Sequence, residues 1–477
     1  MVYALAPVAL AGCGLLFAWF RRLILSGRSV TLAAVLVGAL VVETVLYEEL
    51  DVPIGLFHLH AGPLQMRTLD LVLLLAIAAR ASVPIRRPLD LTVGAWIAFA
   101  AWLTVEAAIG IHNGNPRSFV FYHYKTLLYL GAAYAVGAAR IESFADLRPL
   151  VRLVKWTAVL ASVLLVTSIG HVSIALSLPG LHGASFGEIS SVSATLLPAI
   201  GVLALVLALC AERFRYDLLL ASLPLMATVL APSQRASILN LAISLLVVVA
   251  LVPLGRRHLN VTPTQVAACL AAVVLVAGSA WVGRAAVAGS TSLPFAGNVS
   301  AAIGGQAKAE SAQDRVNQLV VARGLIEQRP IFGWGLGMTI TYYEVGFKEF
   351  ETIFLTHNIL TDLLLRTGIV GLLLFIFAFW LTFNDSLKLW RDPAALGSQA
   401  AMALVSMALL LGWLGHGMVE SMFEHVRLTP FTFTFVGLAR AAAASLRQPS
   451  EAPAPAPAAP FERRLVGLPR PAADSVR

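Results

Sequence analysis

His357 has the residue type and the position to move a proton. It stands in Thr356-His357-Asn358, immediately before an apolar run that begins Ile359-Leu360. With Thr356 as N-cap, His357 falls in the first turn of a helix, where the positive end of the dipole disfavours imidazolium. A neutral imidazole at such a boundary is a competent general base. On position alone, a histidine that merely anchors the helix at an interface is the commoner case. Arg235 ends Pro232-Ser233-Gln234-Arg235, a short turn between two apolar runs. Its guanidinium fork suits a diphosphate, although a lone arginine there more often snorkels to lipid phosphate. Arg315 lies on a helical segment and is a second candidate for diphosphate binding; by itself it reads as a solvated surface charge. Lys125 follows Tyr122-His123-Tyr124, an ordinary interfacial cluster, and is a secondary candidate with Asn358 and Arg366. Arg366 lies inside the apolar run after His357, where a charge is costly and usually faces a cavity or a partner. Asp362, at i−4, is its natural ion-pair partner.

These residues are carried by a chain of 477 residues, 58% hydrophobic and 13% charged. Soluble domains carry roughly a quarter charged residues, so the composition excludes a soluble enzyme and a disordered protein. Long apolar runs from end to end predict an all-α polytopic membrane protein. The net charge of +8 fits cationic loops facing the cytoplasm and gives no support for nucleic-acid binding. Cys13, Cys210 and Cys269 sit in apolar segments without metal-ligand spacing or a disulfide framework.

Hydropathy places spans at 4–20, 29–46, 68–80, 89–110, 125–139, 153–170, 190–211, 218–232, 237–254, 264–282, 357–381, 400–418 and 429–446, about 12–13 in all. Basic residues follow the first run (Arg21, Arg22) rather than precede it, so it reads as a retained span and not a secretory signal. Alternate connections hold sixteen basic residues against five (Arg67, Arg117, Lys125, Arg235, Arg427) on the opposite side. The positive-inside rule puts the N-terminus outside, the C-terminus in the cytoplasm, and the five on the outer face with His357. The expected organisation is a transmembrane bundle over 1–282, an outer loop domain over 283–356, further spans over 357–446 and a tail over 447–477. The Ala-Pro repeats of that tail predict a disordered cytoplasmic extension.

The outer loop opens with a Gly/Ala/Ser-rich stretch. A helix follows, with Ser311 as its cap and Asp314 three residues on, and Arg329-Pro330 ends it. Gly333-Trp334-Gly335-Leu336-Gly337 comes next, a turn-rich segment able to approach another surface closely. It lacks the Lys-Ser/Thr ending and the preceding strand of a phosphate loop, which excludes nucleotide binding there.

Five elements taken in order resemble the bacterial O-antigen ligase and polymerase superfamily over roughly 180–380. They are Ser233-Gln234-Arg235, Asp314-Arg315, Pro330-Ile331-Phe332-Gly333-Trp334-Gly335, His357-Asn358 and Thr367-Gly368-Ile369-Val370-Gly371. Gly183-Ala184-Ser185-Phe186-Gly187 is similar to the family's lead-in. Two positions depart from the pattern: Arg366 stands where an acidic residue is frequent, and Leu319 where an aromatic is common. The resemblance implies a GT-C-like glycosyltransferase of the bacterial inner membrane, working at the periplasmic face. Its donor would be a glycan on undecaprenyl diphosphate and its acceptor a sugar hydroxyl on lipid A-core or on another lipid-linked glycan. His357 would be the general base, and Arg235 and Arg315 would bind the diphosphate. The reaction would invert configuration and need neither metal nor cofactor. The sequence agrees in having no Asp-x-Asp and no outer carboxylate cluster with metal spacing.

The competing class is a transporter or lipid-linked-glycan flippase without chemistry, with Glu43, Glu106, Glu420 and Glu424 along a pathway. Transporters gather polar residues near the bilayer midplane, whereas here they cluster at one face. Convergence of Arg235, Arg315 and His357 on one outward cavity would favour transfer, and a central polar channel would favour transport.

Overall fold

The computed structural model describes residues 2–46, 58–61, 64–84, 90–170, 174–175, 185–186, 193–230, 235–252, 254, 262, 265, 307–345, 348–420 and 427–447. The helices are α1 (Val2–Leu25), α2 (Ser29–Thr44), α3 (Thr68–Ala81), α4 (Leu91–His112), α5 (Arg117–Tyr124), α6 (Thr126–Val136) and α7 (Arg148–Gly170). They continue with α8 (Ser193–Cys210), α9 (Tyr216–Ala227), α10 (Arg235–Leu251), α11 (Ala307–Gln328), α12 (Ile359–Arg391), α13 (Gly397–Gly417) and α14 (Leu428–Arg447). Among the described residues, sheet is confined to two-stranded antiparallel pairs: β1 (His58–Ala61) with β2 (Leu64–Arg67), β3 (Ile174–Ala175) with β4 (Ser185–Phe186), and β5 (Ile340–Glu344) with β6 (Glu349–Ile353). The protein is an all-α, multi-pass membrane protein. Among the described residues, five helices are long and apolar enough to cross a bilayer by length and composition: α4, the stretch through α7, α8, α12 and α13.

Helices coincide with the hydropathic runs except 264–282, which apart from Gln265 lies, like the tail from 448, outside the described residues. Three details differ from expectation. Lys125 is a junction between α5 and α6 rather than the start of one span. The loop helix begins at Ala307, which puts Ser311 inside it instead of at its cap. The loop also contains a hairpin, β5–β6, whose short alternating strands were hidden among charged residues.

Every residue of α8 is buried, as befits a helix that is apolar on all sides. The helices α4 and α12 each have two faces. Outward, α4 shows Ile97 and Val105, and α12 shows Leu373, Ile376, Phe377 and Trp380, where hydrocarbon would cover them. Inward, Trp96, Phe99, Phe375, Trp413 and Phe433 interleave with ring centroids 5.2–6.3 Å apart and join α4, α12, α13 and α14. At the end away from His357, Arg440 pairs with Asp90, and the Thr92 hydroxyl donates to Asp385 at 2.6 Å. Helices from both halves of the sequence therefore share one core.

Candidate active site

The long helix α12 is broken two turns from its start. Gly368 has φ +61° and ψ −169°, which interrupts the helix between Leu365 and Val370. The bonds that would join Ile369 to Leu365 and Val370 to Arg366 are replaced by bonds to the loop. The Trp334 N–H donates to the Leu365 carbonyl at 2.9 Å and the Gly335 N–H to that of Arg366 at 3.0 Å. In return Ile369 N–H donates to the Pro330 carbonyl at 2.9 Å and Val370 N–H to that of Ile331 at 3.4 Å. Irregular backbone at membrane depth is tolerated only where protein satisfies it, and Pro330–Gly335 does so here. The same segment lies against α4: Leu336 N–H donates to the Glu106 carbonyl at 3.0 Å, and the Asn113 amide to that of Trp334 at 3.0 Å. At Gly335 (φ +84°) an added Cβ would fall 2.3 Å from the Gly110 nitrogen, so the strap requires glycine.

The loop helix α11 is tied to this strap and to the hairpin. The Trp334 indole donates to the Leu325 carbonyl at 2.8 Å near the helix end, and the Arg329 guanidinium lies 4.1 Å over its ring. Asp314 accepts from Val345 N–H at 2.6 Å, and the Asn317 amide donates to the Tyr343 carbonyl at 2.9 Å. The Tyr342 hydroxyl donates to Glu351 across the hairpin at 2.6 Å. Arg315, half-buried, sits beside Asp314 on this helix.

His357 follows the hairpin. Its place differs from the sequence reading, because Asn358 and not Thr356 caps α12. The Asn358 side-chain oxygen accepts from Leu360 N–H at 3.0 Å and Thr361 N–H at 3.1 Å. The Thr356 hydroxyl is instead within hydrogen-bond distance of the Asn358 carbonyl and of Asp362. His357 thus stands just outside the helix, with its side chain reaching solvent. Its pKa lies below the usual 6.5. Shielding of part of the ring by its surroundings is the largest cause, and the positive charge of Arg315 adds to it. Glu420 and Glu351 oppose the shift. Arg315 and His357 come from separate elements, and the arginine charge disfavours protonation of the imidazole.

The other candidates have defined places. Arg235 begins α10; its side chain lies outside the described residues, so its convergence with Arg315 and His357 is not assigned. Lys125 is ion-paired at 2.9 Å with Asp70, which also accepts from the Tyr129 hydroxyl at 3.0 Å and from Arg67 N–H at 2.9 Å. Asn358, besides capping, donates its amide to the Met418 carbonyl at 3.1 Å and fastens α12 to the end of α13. Arg366 is buried and ion-paired with Asp362, as the spacing predicts, and also donates to the Phe354 carbonyl.

Residues 218–376 match the family model described as O-antigen ligase. Over this segment the chain is similar to the O-antigen ligase family. No curated protein matches the chain. The O-antigen ligase segment covers about a third of the sequence and contains Arg235, Arg315, the strap, His357 and the α12 break. That likeness supports, in general terms, an enzyme acting on lipid-linked glycans in a membrane. The carboxylates that face His357, Glu351 and Glu420, were not found as partners in the sequence. Glu351 is brought there by an unforeseen hairpin. Glu420 lies one helix further along the chain, where only the packing of α12 on α13 brings it close. Among the described residues, no three His, Cys, Asp or Glu side chains gather as metal ligands.

Proposed function

We propose that the protein is a glycosyltransferase of the bacterial inner membrane that moves a glycan from undecaprenyl diphosphate to a sugar hydroxyl at the periplasmic face. The acceptor is lipid A-core, as in O-antigen ligation, or a second lipid-linked repeat unit, as in polymerisation. One observation carries this reading. Within the segment that matches the O-antigen ligase model, a guanidinium (Arg315) bears on a solvent-reaching histidine (His357) and disfavours its protonation.

In the reaction, His357 takes the proton of the acceptor hydroxyl, whose oxygen bonds to the anomeric carbon. The bond from that carbon to the diphosphate oxygen breaks, and its electron pair leaves with the lipid diphosphate. Arg315, together with Arg235, stabilises the charge that builds there, which is the part a metal plays in other transferases. A single in-line displacement inverts the anomeric configuration. The loop around α11 and β5–β6 shields the donor from water as a competing acceptor.

The test is transfer by purified protein between a defined undecaprenyl-diphosphate glycan and lipid A-core or a second lipid-linked repeat. His357→Ala abolishes turnover and retains donor binding, whereas Arg315→Ala and Arg235→Ala weaken donor binding as well. EDTA leaves the rate unchanged. Full activity in His357→Ala would remove the base, and dependence on an added divalent metal would overturn the metal-free scheme.

A further inference from the structure

We propose that the buried Asp362–Arg366 pair is the positioning element of His357. It fixes the chain on the N-terminal side of the imidazole and so keeps the ring beside Arg315. The inference rests on the transferase reading and assigns within it a role to a pair that touches neither substrate nor reacting atoms.

A buried ion pair is weak evidence for stability, because apolar residues of similar volume hold helices together as well or better. What this pair does beyond its own contact is therefore informative. Arg366 is 2% exposed and donates to the Phe354 carbonyl as well as to Asp362. Asp362 is 1% exposed, and its second oxygen accepts from Thr356 N–H at 3.1 Å and lies 3.3 Å from the Thr356 hydroxyl. Both members thus also bond to the link between the end of β6 at Ile353 and the cap at Asn358. The Phe354 ring is stacked on Phe119 at 4.2 Å, with its plane 3° from parallel, which fixes the same link from the side of α5. Asn358 holds the far side through α12 and Met418. His357 is the exposed residue between these anchored points.

Positioning matters because a displacement of about 1 Å at a reacting group can cost roughly a hundredfold in rate. Three charged groups bear on the ring electrostatically: Arg315 from α11, Glu351 from β6 and Glu420 beyond α13. Loss of the link would move the ring relative to all three.

The deciding variant is the apolar double replacement Asp362→Leu with Arg366→Met, read three ways in the full-length protein. Its thermal midpoint in detergent stays within a few degrees of the parent or rises. Its kcat falls ten- to hundredfold, about the cost of a small misplacement, with donor KM changed less than about twofold. The pH midpoint for diethylpyrocarbonate modification of His357, followed by mass spectrometry, rises as the ring leaves Arg315. A folded double variant with parental kcat and parental midpoint would overturn the proposal. Should the double variant fail to fold, Arg366→Lys decides, because one ammonium cannot reproduce the fork that joins Asp362 to Phe354. A lowered kcat at parental KM supports the proposal, and parental kcat sinks it. Absence of transfer by the parent protein would defeat the transferase reading alone, since the modification midpoint would still report whether the pair places the ring.

Discussion

Arg315 on the loop helix and His357 at the entrance to α12 are electrostatically coupled, and the arginine charge lowers the proton affinity of the imidazole. The sign of the pH dependence follows. A base of lowered pKa stays neutral further into acid, so the acid limb of kcat/KM falls below pH 6.5, the ordinary histidine value. Arg315→Gln removes a charge that disfavours imidazolium and moves the limb to higher pH. Glu420→Gln removes one that favours it and moves the limb lower. A pH–rate profile of the three proteins checks the order, and an unchanged limb in both variants would disconnect His357 from the titration.

Gly368→Ala is expected to uncouple the loop from α12. The residue has positive φ, and an added Cβ would lie 2.1 Å from the Ile331 carbonyl oxygen. Clash and backbone strain together cost roughly 3 kcal/mol, enough to release Pro330–Gly335 from the helix break. Thermal unfolding in detergent and protease sensitivity near Arg329 report the loss, whereas Gly324→Ala, where a Cβ meets nothing within 4 Å, serves as the neutral control.

Lys125 is expected to act on stability rather than turnover. Lys125→Ala leaves the buried Asp70 carboxylate without its cation and costs roughly 3–5 kcal/mol. Joint replacement, Lys125→Met with Asp70→Leu, restores most of the thermal midpoint. Donor KM measured on the restored protein stays parental; a large rise would give Lys125 a place in donor binding instead.

Asn358→Ala removes two cap bonds and the tether to Met418, for a loss of about 1–2 kcal/mol. Asn358→Asp keeps the acceptor and recovers part of it. Thermal unfolding of the two variants separates the cap from the tether.

Hydropathy made most of the helices legible because apolar runs of span length have few other destinations. The order of small motifs made the superfamily legible for a different reason. Gly333, Gly335 and Gly368 are written into the sequence by positive φ and close backbone approach that other residues rarely tolerate. The helix start was misread because Thr356 and Asn358 are both good caps. Only the fold showed that the Thr356 hydroxyl was engaged elsewhere. The hairpin β5–β6 was missed because each strand is only five residues long and β6 is mostly exposed, so the alternation in β5 is too short to stand out.

By itself, then, the sequence determined that the chain is a membrane bundle, and it singled out His357, Arg235 and Arg315 as candidates of suitable chemistry. Those properties depend on composition and local spacing, which are fixed once the residues are in order. The tertiary structure decided that Arg315, Glu351 and Glu420 act on His357, that Lys125 is committed to Asp70, and that Arg366 reaches back to the chain before the imidazole. Such partnerships join residues far apart along the chain, and no local pattern specifies which buried charge will meet which until the helices pack.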